Sequence, residues 1–196
     1  MKTTPEQSNP ESTSPQPLLT QWWQKWRENI TILVLAVGLA VFIRTFVAEP
    51  RYIPSESMLP TLEIGDRLIV EKLSYYTHLP HHGDIIVFAP PPQLREQGYL
   101  EEQAFIKRVI GLPGDKIEVK NGRVYVDGAP STERYIAEAP NYAMSPMVVP
   151  PDQLFVMGDN RNNSNDSHVW GFLPKANVIG HACFRFWPID RFGGVS

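Results

Sequence analysis

The sequence predicts a mainly β chain, an antiparallel β domain carried behind one N-terminal helix that is long and apolar enough to span a membrane. Three observations point there. Residues 30–43 are almost wholly apolar, the chain beyond Pro50 breaks into strand-length runs bounded by Gly, Pro or Asp, and Asn121-Gly122 between two alternating runs marks a tight hairpin. A formal net charge of −3 supplies no basic stripe of the kind that nucleic-acid binding needs, and a single cysteine, Cys183, excludes an intrachain disulfide.

Residues 1–20 (MKTTPEQSNPESTSPQPLLT) are rich in Pro, Ser, Thr, Gln and Glu and lack an apolar period, so they are expected to form a disordered tail. Residues 21–47 follow as an anchor helix. As a helix, 30–47 spans about 27 Å, close to the roughly 30 Å of a bilayer's hydrocarbon. Trp22, Trp23 and Trp26 suit one interface, and Arg44 can snorkel toward the other. A buried core helix and a removed signal peptide are the competing readings. Nothing amphipathic packs around the run in sequence, and Phe46 stands two residues before Ala48, where a cleavage site wants a small side chain. Charges do not orient the helix, since Lys25 and Arg27 are matched by Arg44 and Arg51.

Residues 48–196 read as one β-rich domain. Runs at 67–70, 84–88, 103–110, 116–120, 123–126, 153–157 and 180–187 are β-branched or aromatic and strand-length. Nineteen prolines argue the same way, because proline breaks helices and is tolerated at sheet edges and turns.

Three stretches carry chemistry. If IPSESMLPT (53–61) is extended, side chains alternate, so Ser55 and Ser57 share a face and Glu56 points away. The same residues also suit a polar turn between prolines. In AFIKRVIGLPGD (104–115), Lys107 shares a strand face with Phe105 and Val109. Buried there, its amine loses proton affinity and becomes a base near neutral pH; at an edge its head would reach water instead. A serine nucleophile without a histidine partner needs such a base. In GDNRNNSNDSHVWGFLP (158–174), the dense polar side chains either form a solvated loop or tie a site together. Arg161 stands where a calcium loop wants a ligand, and His78, His81 and His82 have no second ligand group at metal spacing.

Taken in order behind the anchor, PSESMLPTLEIGDRLIVEK, FIKRVIGLPGD and GDNRNNSNDS resemble the signature boxes of type I signal peptidases, the membrane-bound leader peptidases of bacteria and organelles. The likeness spans roughly residues 45–190, and with FRFWPIDR near the end it is most similar to cyanobacterial and chloroplast members. The resemblance implies a signal-peptidase-like antiparallel β catalytic domain with a Ser-Lys dyad, Ser57 as nucleophile and Lys107 as general base. It implies that Ser55 joins the Ser57 backbone N–H in an oxyanion hole, that Ser164 orients the lysine, and that Asp166 and Arg108 brace the site. Ile53, Pro54, Met58, Leu62, Phe105 and Ile106 match positions near pockets for small substrate residues.

No cofactor or metal is implied. The partners are signal-peptide-bearing preproteins and membrane lipid, with no nucleic acid. The family's orientation puts the tail in the cytoplasm and residues 48–196 on the periplasmic or lumenal side of a plasma or thylakoid membrane. Where some members carry arginine this chain has His168, so the partner of Asp166 is expected to be an imidazole that titrates. Two alternatives remain at this level. A self-cleaving repressor-type Ser-Lys protein would need a DNA-binding domain in place of the anchor, and a membrane-tethered, non-catalytic β module would bind extended peptides without cutting them.

Overall fold

A computed structural model describes residues 18–195 of the chain; residues 1–17 of the expected tail and the side chains of Trp22 and Trp23 lie outside the described residues, while Leu18–Thr20, expected in the tail, open a helix. Two compact units result, Met1–Phe42 and Ile43–Ser196. In the first, helix α1 (Leu18–Phe42) runs unbroken. Trp26–Val47 contains an 18-residue window of mean hydropathy 2.5, and its 22 residues reach about 33 Å at 1.5 Å per residue, enough to cross a membrane.

The second unit begins with a π-helical turn, Ile43–Val47, where a continuous α-helix was expected. Carbonyls at the end of a helix lack intrahelical donors, and here Lys72 Nζ donates to Arg44 O (3.2 Å) and Thr45 O (3.3 Å).

The strands follow as β1 (Ala48–Tyr52), β2 (Arg67–Glu71), β3 (Ile85–Phe88), β4 (Phe105–Gly111), β5 (Lys116–Lys120), β6 (Arg123–Val126), β7 (Ala129–Pro130), β8 (Met144–Val148), β9 (Gln153–Met157), β10 (Leu173–Pro174), β11 (Val178–Trp187) and β12 (Gly193–Gly194). They form an antiparallel sheet in the order β1-β2-β11-β3-β4-β9-β10, with β12 paired to β11, and a smaller sheet in the order β7-β6-β5-β8. The Asn121-Gly122 hairpin is as expected: both residues have positive φ, and Lys120 faces Arg123 across the turn.

Side-chain alternation explains most of the packing. Leu68 and Val70 of β2, and Ile117 and Val119 of β5, point inward while their neighbours meet solvent. β4 differs, being buried almost throughout because it lies between β3 and β9 with apolar clusters on both faces. Ile53, Met58, Leu62, Ile85, Val87 and Ile106 belong to one cluster; Ile86, Phe88, Val109, Leu154 and Trp170 form another. A third, around Ile110, Ile117 and Phe155, joins the two sheets.

Five strands escaped the sequence reading, β1, β7, β8, β10 and β12; the two longest of them, β1 and β8, each contain a proline, Pro50 and Pro146. Both are edge strands, where the missing N–H costs no ladder bond. β11 poses a closer demand. A β-carbon added at Gly180 would lie 2.3 Å from Glu71 O, against backbone that cannot swing aside. We expect Gly180→Ala to cost about 2 kcal/mol, lowering the thermal midpoint by about 4–8 °C. Gly38→Ala in α1, where an added carbon meets nothing within 4 Å, serves as the control that does not lower it.

Candidate active site

After β1 the chain stays extended only through Ser55, with Ile53 N donating to Asp66 O and accepting at its own carbonyl from Gly65 N, both at 2.9 Å. It then turns, as Leu59 N donates to Glu56 O and Leu62 N to Met58 O. Of the two readings of 53–61, extended or a polar turn between prolines, the first holds through Ser55 and the second beyond it. Met58 and Leu62, four residues apart, both drop fully into the core, and a turned backbone is what lets them do so. The two hydroxyls nevertheless meet, Ser55 Oγ lying 3.3 Å from Ser57 Oγ.

Thr61 bolts this turn to the rest of the domain. Its hydroxyl donates to Asp159 Oδ2 (2.5 Å), and its carbonyl accepts from Arg185 Nη1 (3.0 Å) and Arg191 Nη2 (3.3 Å). Both arginines also reach buried Asp66, whose Oδ2 accepts from Glu63 N (3.0 Å).

Lys107 stands on β4 opposite Ile86, and its side chain is 3% exposed. Nζ lies 2.6 Å from Ser57 Oγ and donates to Ile106 O at 2.9 Å. Burial pulls its pKa down to about 8, while the charges of Asp166 and Asp159 pull it partly back. The chemistry available is proton transfer from a hydroxyl to a neutral amine.

The polar loop after β9 holds these groups from behind. A β-carbon at Gly158 would sit 2.3 Å from both Ser57 O and Ser164 Oγ, so only glycine lets the loop close on the serine turn. Asn160 N then donates to Ser57 O (3.1 Å), and Asn160 Nδ2 to Glu56 O (3.1 Å). Asp166 accepts from Gly158 N (2.8 Å) through one oxygen and from His168 Nδ1 (2.7 Å) through the other.

Arg108 does not meet Asp166. It makes a two-pronged contact with Asp159, Nε at 2.8 Å and Nη2 at 2.7 Å, donates to Gly83 O, and lies 3.9 Å over the Tyr135 ring. Arg161, buried likewise, pairs with Glu133 through both terminal nitrogens. Ser164 Oγ is buried with no hydrogen-bond partner among the described residues and makes no bond to Lys107. Of the pocket candidates, Ile53, Met58, Leu62 and Ile106 lie in one core cluster, Pro54 is exposed, and Phe105 stacks on Phe88 and meets Tyr99 edge-on.

Thr61, Asp66, Glu133, Tyr135, Asp159, Arg161, Arg185 and Arg191 were not singled out from sequence as working parts. Thr61 and Asp66 sat inside the first quoted box, Asp159 and Arg161 inside the polar one, and Arg185 and Arg191 inside FRFWPIDR, whereas Glu133 and Tyr135 carried no signal. The histidines do not converge: His82 pairs with Asp115 (2.6 Å), His81 with Asp84 (3.7 Å), and among the described residues no group of three ligand-type side chains is placed to hold a metal. A cavity of about 340 Å³ lined by His82, Gly83, Ile110, Pro130 and Tyr135 lies behind Arg108, not beside Ser57.

The family profile described as signal peptidase, peptidase S26, matches residues 26–187. The chain is 64% identical over 174 residues to a probable signal peptidase I-1 of Synechocystis sp., covering 89% of each protein. It is 56% identical over 169 residues to signal peptidase I of Leptolyngbya laminosa, covering 86% of this chain and 83% of that one. It is 48% identical over 168 residues to a probable thylakoidal processing peptidase 2 of Arabidopsis thaliana chloroplasts, covering 86% of this chain and 46% of that longer protein.

Removing one partner of the Arg108–Asp159 pair strands a buried charge. Asp159→Leu is expected to cost about 3–5 kcal/mol in urea unfolding, and Arg108→Met added to it should recover part of the loss.

Proposed function

The chain belongs to the signal peptidase family, peptidase S26, and we propose that it is a membrane-bound serine endopeptidase that removes signal peptides from exported preproteins by a Ser57–Lys107 dyad. One observation carries this reading: an amine removed from water and set 2.6 Å from a serine hydroxyl.

Neutral Lys107 takes the proton as Ser57 Oγ attacks the scissile carbonyl carbon, forming the tetrahedral intermediate. The Ser57 backbone N–H and the Ser55 hydroxyl are the donors for its oxyanion. Collapse breaks the C–N bond; the Lys107 ammonium returns the proton to the leaving amine and the ester stays on Ser57. Water, losing a proton to Lys107, attacks the ester; the C–O bond to Ser57 breaks, the Lys107 ammonium returns that proton to Ser57 Oγ, and the signal peptide leaves as a carboxylic acid that ionises in solvent. The unpartnered Ser164 hydroxyl suits the orienting role, since a buried oxygen gains by accepting from the amine as it shifts. Asp166 and Arg108 brace in separate contacts, the first on Gly158 and the second on Asp159.

The substrate would bind as an added strand. Phe105 to Lys107 pair with β3 on one side, whereas the pairing with β9 begins only at Arg108, so half of the β4 edge is open. The extended run 53–55 offers a second rail, with Ile53, Pro54, Met58, Leu62, Phe105 and Ile106 as the specificity candidates. The apolar N-terminal helix associates the chain with a membrane. We assign the tail to the cytoplasm and the β domain to the periplasmic or lumenal side of a plasma or thylakoid membrane.

In detergent or lipid, processing of a preprotein ending its signal in Ala-X-Ala should fall about 10³-fold or more in Ser57→Ala and in Lys107→Ala, both still folded. Near-normal turnover in either would remove the dyad. Ser55→Ala should lower kcat about 10²–10³-fold. Because the active amine is the unprotonated one, kcat/KM should fall about tenfold per pH unit below about 8 and level off above it.

A further inference from the structure

His168 is the nearest neighbour of the carboxylate that opposes the neutrality of Lys107. The Asp166 charge raises the proton affinity of Lys107, while Asp166 itself is fully buried and shares one oxygen with His168 Nδ1 at 2.7 Å. The same oxygen accepts from His168 N (3.1 Å), and the other holds Gly158 N, the backbone that closes on Ser57. The imidazole is held in place on its far side by Tyr142, stacked at 4.2 Å with 12° between the planes.

Resting on the proteolytic reading above, we propose that His168 is a positioning residue whose charge sets how readily Lys107 gives up its proton, acting through the carboxylate of Asp166. An imidazolium at 2.7 Å offsets the carboxylate, so less negative charge is left to hold a proton on the amine; a neutral imidazole keeps the hydrogen bond but leaves the full charge of Asp166 in play. Positive charges on His168 and on Lys107 therefore oppose one another across Asp166.

The surrounding groups do not supply the same effect. Burial raises the phenol of Tyr142, so it stays uncharged through the working range, and Arg161, whose charge acts on that phenol, is paired with Glu133. Asp159, the other carboxylate acting on Lys107, is committed to Arg108.

Two substitutions separate charge from hydrogen bonding. His168→Asn places an amide N–H where Nδ1–H stood and carries no charge. His168→Arg keeps a charge at every pH, and its planar group stacks on an aromatic ring as the imidazole does. Lys107 is titrated directly, by the NMR shift of its ε-carbon in a Ser57→Ala background in detergent. The expected order of ionisation constants places the arginine variant lowest and the asparagine variant highest, separated by about half a unit or more, which is about three times as much neutral amine at pH 7. In proteins that retain Ser57, the ratio of kcat/KM at pH 7 to that at pH 10 should differ between the variants about threefold in the same direction. Coincident Lys107 titrations in folded Asn and Arg variants would overturn the proposal. If instead wild-type protein cuts no preprotein, the proteolytic reading fails, and the Lys107 titrations still decide the coupling.

Discussion

Taking a lysine amine out of water while it is charged is costly, and a hydroxyl cannot stand in for the counter-ion that would make it tolerable. Lys107 is buried to 3% exposure with a serine oxygen and a backbone carbonyl as its hydrogen-bond partners. The fold is arranged around that fact. Its central strand carries the residue between two apolar clusters, and the clusters exclude the water that would otherwise solvate an ammonium.

Charge is distributed with the same consequence. The other cations of the site each own a carboxylate: buried Arg108 has Asp159, buried Arg161 has Glu133, and half-buried Arg185 and Arg191 share Asp66. Among the described residues, Lys107 has none within ion-pair distance, although Asp159 and Asp166 are near enough to act on it. Were either in direct contact, the amine would be held protonated and useless as a base. The arginines absorb those carboxylates, so the bracing network and the low proton affinity of Lys107 are one arrangement. It also fixes geometry, since Asp159 ties Arg108 on β4 to Thr61 in the serine turn.

Much of this was legible in the chain. Strand alternation, the Asn-Gly turn and the apolar run at the N-terminus are local properties, written in neighbouring residues, and the β character and the helix followed from them. Ser57 and Lys107 were singled out by the resemblance of their boxes to type I signal peptidases, since the residues alone left a polar turn and an edge lysine open. Misreadings arose where local rules have exceptions decided elsewhere. Pro50 and Pro146 looked like breakers, yet edge strands tolerate them. Alternation through 53–61 failed because Met58 and Leu62 are drawn into the same core, which requires a turn. Which partners Arg108 and Asp166 take was not written in the chain, and pairing across the fold gave them different ones.

By itself, then, the sequence determined which elements form and which residue types could do the chemistry, because period, turn propensity and side-chain functionality belong to short stretches of chain. Only the tertiary structure decided who meets whom: that a glycine 101 positions after Ser57 lets the polar loop close on it, that Lys107 approaches its hydroxyl from 50 positions away, and that Asp159, not Asp166, neutralises Arg108. Those choices depend on strand order and register, which arise from packing the whole sheet at once, so no window of sequence holds enough of the contacts to specify them.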